Sequence, residues 1–236
     1  MNYEKKYIKY KEKYLELKNQ TGGEMSDENF FELIILASQC KKEELLDKLN
    51  LDNTLINRTI DKYEKGTLLH EACKKGCLEL VKELVKRGAN VLAKDDLAST
   101  GGDALWYASR NNYIEIVKFL IDNGANINSR DLKFTSLGIA SYMGHKEICV
   151  YLLSHGANLL DTMIGRSIDY PHNSLSLYNT FHVTNKSNRE SNQQSRKDLV
   201  VTAIEYIQKS QDTDDIKTSK INKINEEATK LKIINL

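Results

Sequence analysis

Proline is almost missing. Pro171 is the only one in 236 residues, so elsewhere no pyrrolidine ring stops a helix. An excess of one charge is missing too: the formal net charge is +1, leaving no global field to draw the chain to nucleic acid or a membrane surface. Apolar runs such as Leu33 to Ala37 are far too short to span a bilayer. Residues 1–20 alternate charge and tyrosine and lack the unbroken apolar core of a signal peptide. The sequons at Asn57 and Asn185 therefore carry no weight. Cysteine is sparse, and Cys40, Cys73, Cys77 and Cys149 fall on expected helix faces. They are expected as reduced, partly buried thiols inside a cell, which puts the protein in the cytoplasm.

Sites of chemistry are equally scarce. His70-Glu71-Ala72-Cys73-Lys74 opens like a metalloprotease helix but has Lys74 where a second histidine ligand must stand. Cys73 and Cys77 with His70 lack a second ligand pair at a metal-binding spacing. Gly101-Gly102 has no Lys-Ser/Thr behind it and reads as a turn, not a phosphate loop. No Gly-x-Ser-x-Gly elbow is present, and acidic residues are scattered over helix faces. The expectation is no catalysis, no metal and no cofactor.

What the chain does have is repetition. Leu80-Val81-x-x-Leu84-Val85 runs to Gly88-Ala89-Asn90, and Ile116-Val117-x-x-Leu120-Ile121 to Gly124-Ala125-Asn126. Ile148-Cys149-x-x-Leu152-Leu153 likewise runs to Gly156-Ala157-Asn158. The glycines are 36 (124 minus 88) and 32 (156 minus 124) residues apart, the period of stacked helical units that cannot bury their apolar faces alone. Thr67, Asp103 and Thr135 are each expected to cap a first helix through a side-chain oxygen. Gly76, Asn112 and Gly144 mark tight turns, and Gly88, Gly124 and Gly156 stop the second helices. Gly124 is expected at positive φ, whereas Gly101 is expected to tolerate a side chain.

Thr67-Leu68-Leu69-His70-Glu71-Ala72, Gly144-His145 and the Gly-Ala-Asn endings resemble ankyrin repeats over roughly residues 61–161. The departures are the missing helix-start proline, Trp106 and Gly138 in place of the histidine, and extra residues between Asp95 and Thr100. The resemblance implies an all-α solenoid of helix-turn-helix units, with helical N- and C-terminal extensions.

The expected order starts with a Tyr/Lys-rich helix at 1–23, a degenerate capping repeat at 26–60 and repeats at 61–95, 96–130 and 131–161. An aborted fifth repeat at 162–171 and a polar disordered linker at 172–197 follow. A capping helix at 198–211, with Leu199, Val200, Ala203, Ile204 and Ile207 in second-helix spacing, precedes a weak amphipathic helix at 212–236. Tyr3, Tyr7, Tyr10, Tyr14 and Leu17 form a stripe among lysines. The stripe fits a solvated helix packed on a neighbour, a partner-binding or weakly self-associating helix, or a membrane-surface or nuclear-targeting segment. This leader, closing in Gly22-Gly23, resembles leaders on proteins of giant DNA viruses of amoebae.

The resemblance to ankyrin repeats implies a partner-binding concave face built from loop tips and first helices. Carried onto this chain, the protein-binding residues are Tyr63, Lys65, Glu71, Lys74, Lys75, Tyr107, Arg110, Asn111, Phe134, Tyr142 and Met143. The expected function is a non-catalytic interaction module for a protein partner, host-derived if the chain is viral. A ubiquitin-ligase substrate adaptor and a self-assembling structural component are the alternatives.

Overall fold

The computed structural model describes residues 26–51, 53–59, 66–95, 101–131, 134–159 and 186–231. Its helices are α1 (Ser26–Ser38), α2 (Lys42–Leu51), α3 (Leu68–Lys75), α4 (Leu78–Lys86) and α5 (Ala104–Arg110). The chain continues through α6 (Ile114–Asp122), α7 (Ser136–Met143), α8 (Lys146–Ser154), α9 (Lys186–Lys209) and α10 (Asp214–Lys230). Extended pairing among the described residues is confined to isolated bridges, Lys94 with Asp103 and Arg130 with Thr135. The fold is all-α.

The same three-part grammar builds each repeat. Thr67, Asp103 and Thr135 sit in extended backbone, and each side-chain oxygen accepts from the backbone N–H three residues on, at His70, Trp106 and Gly138. Such a bond satisfies one of the donors a helix start leaves bare. The first helices then end in left-handed residues, Gly76 at φ +79°, Asn112 at +64° and Gly144 at +80°. Cys40 takes the same conformation at φ +56° between α1 and α2, so the degenerate first unit keeps the turn without glycine. Gly124 stands at φ +85° as expected, but so does Gly101 at +58°, and a side chain there is strained rather than tolerated.

Packing sets the curvature. The first helices lie side by side, α1 on α3, α3 on α5 and α5 on α7, whereas α4, α6 and α8 touch one another less. A stack drawn together more tightly on one side bends toward it, so the first helices line the inner face. Between the two layers a continuous apolar core runs through Leu33, Leu45, Leu69, Leu80, Leu105, Ile116, Leu137 and Ile148.

The far end is closed by α9 and α10. Leu199, Val200, Ala203 and Ile207 are buried, and α9 lies along α8. The signal is in α8 itself: Val150 and Tyr151 are apolar and buried where α4 carries Lys82 and Glu83. Helix α10 then reaches the last loop, where Glu227 Oε2 accepts from Leu159 N at 2.7 Å and Lys223 Nζ donates to Gly156 O at 3.0 Å.

Two further expectations need correction. Helix α9 opens at Lys186, inside the span expected as a disordered 172–197 linker. Once Leu199 to Ile207 are docked, extending the helix backwards costs little, because nucleation is the expensive step. Cys40 and Cys77 are joined as a disulfide, with Cα atoms 5.3 Å apart, instead of lying reduced on helix faces. They occupy turns rather than helices, and stacking brings consecutive turns together. The leader at 1–23 and the aborted repeat at 162–171 lie outside the described residues.

Candidate protein-binding face

The inner face is assembled from three helices and the loops that precede them. Asp95 N donates to Gly102 O, and Asp131 N to Phe134 O, each at 3.0 Å, closing the bases of two loop fingers. Tyr63 and Lys65, expected at the first finger, lie outside the described residues.

Of the remaining expected positions, two are not available to a partner. Glu71 and Tyr107 are both 3% exposed. They hold one repeat position together with Ile139, which is also buried. Glu71 Oε1 pairs with Lys74 Nζ at 2.7 Å. The Tyr107 hydroxyl donates to the Asp95 carboxylate, and its ring meets Trp106 and His70 edge-on. Burial pushes the Asp95 carboxyl above its ordinary pKa, against the Tyr107 bond and the charge of Lys74. This cluster organises the face from beneath.

The accessible groups fall into two rows. Lys74, Arg110 and Tyr142 occupy one repeat position on α3, α5 and α7, and Lys75, Asn111 and Met143 occupy the next. Lys74 Nζ stands 4.5 Å over the Tyr107 ring, and the Arg110 guanidinium 5.4 Å over Trp106. Asn111 Nδ2 donates to Lys74 O at 3.1 Å, tying consecutive repeats. Phe134, at a finger base, packs its ring 5.7 Å from that of Tyr142, both half-buried. Met143 is 43% exposed.

Reactive chemistry is suppressed. The buried His70 ring accepts from Thr67 N at Nδ1 and lies 3.0 Å from Ala93 O at Nε2, contacts that suit a neutral ring protonated at Nε2. Burial, with help from Lys74, lowers its pKa to about 4. The thiol of Cys149 is pushed by burial up to about 12, and that of Cys73 higher still, so neither supplies a thiolate nucleophile. Among the described residues no group of three or more His, Cys, Asp or Glu side chains could hold a metal. No helix among them is long and apolar enough to cross a membrane.

Comparison with family sequence models decides the family. The one described as ankyrin repeats (3 copies) matches residues 33–131 and 98–163, together more than half of the chain. The chain belongs to the ankyrin-repeat family. Ankyrin repeats generally mediate protein–protein interaction and are generally non-catalytic. A comparison with the curated proteins returned no match.

Within the ankyrin stack, sequence reasoning missed a second set of ties. Asn57 Nδ2 donates to Gly88 O at 2.9 Å, and its Oδ1 accepts from Asn90 N at 2.7 Å. Asn57 therefore bonds the loop one repeat ahead, and its spacing from the Gly-Ala-Asn signature was the available clue. Trp106, which stands where the second repeat has His70, buries its ring under Gly102 but leaves its Nε1–H without a partner among the described residues.

Proposed function

We propose that this ankyrin stack is a non-catalytic module that grips a protein partner with its inner face. The observation that supports it is the pair of rows on α3, α5 and α7: Lys74, Arg110 and Tyr142, beside Lys75, Asn111 and Met143. Arginine, tyrosine and methionine are enriched in the parts of interfaces that bury most. The buried cluster of Glu71, Asp95 and Tyr107 holds these rows in place, so a partner meets a surface that is already ordered.

The setting we propose is the cytoplasm, with a host protein as partner. The support is the leader's resemblance to giant-virus leaders. The test is capture from host lysate with the wild-type chain, then affinity measurement with Arg110→Ala and Met143→Ala. A loss of tenfold or more at either position, with folding intact, is expected if the rows carry binding energy (roughly 1.4 kcal/mol). Unchanged affinity in both variants contradicts the proposal. Ubiquitin-ligase subunits among the captured proteins would make the chain an adaptor, and a size change on removing residues 1–23 would indicate self-assembly.

A further inference from the structure

Cys77, Tyr113 and His145 hold one position in successive repeats, immediately after the left-handed turn residue, and each reaches back onto the preceding unit. The Tyr113 ring covers Gly76, and His145 Nε2 lies 3.0 Å from Arg110 O. At the first junction that place is taken by the Cys40–Cys77 disulfide, whose two residues are separated by 37 positions. The non-covalent contact used further along has been replaced by a covalent one at the boundary with the degenerate cap.

The two sulfurs are unequally placed. Cys40 is exposed, whereas Cys77 is 5% exposed, with its Sγ 3.5 Å from Ala37 O. An incoming thiolate therefore has access to Cys40, and a released Cys77 thiol has a carbonyl to which it can donate. The unit held by this bond is otherwise attached by the packing of α1 on α3 and by polar ties, including Asn57 to Gly88 and Arg87 to Asn50 at 2.7 Å.

We propose that the Cys40–Cys77 disulfide is a redox latch that controls the order of the capping unit, residues 26–58, on the ankyrin stack. A dithiol reductant opens it. Its thiolate attacks Cys40 Sγ to form a mixed disulfide, and Cys77 leaves and takes up a proton. The reductant's second thiol closes on its own sulfur and expels Cys40, which is protonated in turn. Two electrons and two protons pass to the protein, and the reductant becomes a cyclic disulfide. A small-molecule disulfide such as oxidised glutathione closes the latch by the reverse exchange.

The latch is a device separate from the binding rows, so its test needs no partner. The full chain is compared oxidised, treated with dithiothreitol, and as Cys40→Ser, by hydrogen exchange read over 26–58 and over 104–154. Opening a loop of 37 residues is expected to raise opening of the cap on the order of a hundredfold, in the reduced and Cys40→Ser forms alike. Exchange over 104–154 should change much less. Alkylation of the folded protein should reach Cys40 only after reductant, with Cys73 and Cys149 protected throughout. Equal exchange over 26–58 in oxidised and reduced protein, or ready alkylation of Cys40 without reductant, overturns the proposal.

Discussion

Asn128 holds the loop of the repeat that follows it: its Oδ1 accepts from Asn158 N at 2.8 Å while its Nδ2 lies 3.3 Å from Gly156 O. Asn57 makes the same pair of bonds to Asn90 and Gly88 at the first junction. At the junction between them the position belongs to Leu92, which is 56% exposed. Leu92→Asn is expected to supply the missing tie to Gly124 and Asn126 and to stabilise the fold by about 1 kcal/mol. Urea unfolding measures this, and Asn128→Ala should move the midpoint the other way. A Leu92→Asn chain no more stable than wild type would show that the intervening junction is shaped differently.

The His70 ring links stability to pH. Its pKa is about 4 in the folded chain against 6.5 unfolded, so the unfolded chain binds the proton more readily. The stabilisation is complete above 6.5 and is lost as pH falls toward 4, by on the order of 3 kcal/mol in all. Asp95 and Asp103, raised by burial, act with the opposite sign, so comparison with a His70 variant over the window between neutrality and pH 5 isolates the histidine. The urea midpoint should fall across that window in wild type and stay nearly flat in His70→Gln. Parallel curves would assign the acid sensitivity elsewhere.

Gly76 carries two constraints and Gly124 one. Both have positive φ, but a Cβ on Gly76 would lie 2.5 Å from the Tyr113 ring, whereas one on Gly124 meets nothing within 4 Å. Gly76→Ala should therefore cost at least 1 kcal/mol more than Gly124→Ala, whose penalty is the backbone strain of about 1 kcal/mol alone. Adding Tyr113→Ala to Gly76→Ala should recover the cost of the clash but not that of the strain. A double variant with no recovery would mean that the ring moves aside without cost.

Ala203 is fully buried where α9 lies along α8. Ala203→Arg is expected to lift α9 away and leave Val150 and Tyr151 wet, which promotes association. Increased binding of an apolar dye and a lower melting temperature should appear together, as they should on truncation after Asn185. A variant that melts like wild type and binds no dye would show that the helix contributes nothing to closure.

The repeat grammar was legible because it is local. Thr67, Asp103 and Thr135 cap, and Gly76, Asn112 and Gly144 turn, for reasons contained within a few residues of each. The inner face was legible only in part. Glu71 and Tyr107 look like surface residues until the adjacent repeat and the Asp95 finger close over them, a consequence of stacking rather than helix periodicity. Cys40 was misread for a similar reason: a cysteine at φ +56° is a turn residue, and its pairing depends on the next turn arriving above it. The docking of α10 was also hidden, since Glu227 looks solvated on a weakly apolar helix until it meets Leu159 N.

The most direct test of the inner face as the partner surface is site-specific photo-cross-linking in cell lysate. A photoreactive residue is placed at 110 or 143 on the inner rows, and at exposed Lys86 on the outer layer as reference. Binding through the inner rows predicts one discrete protein adduct from 110 and 143 and none from 86. The same adduct from 86, with none from 110 or 143, would place the partner on the other side of the stack and contradict the proposed function.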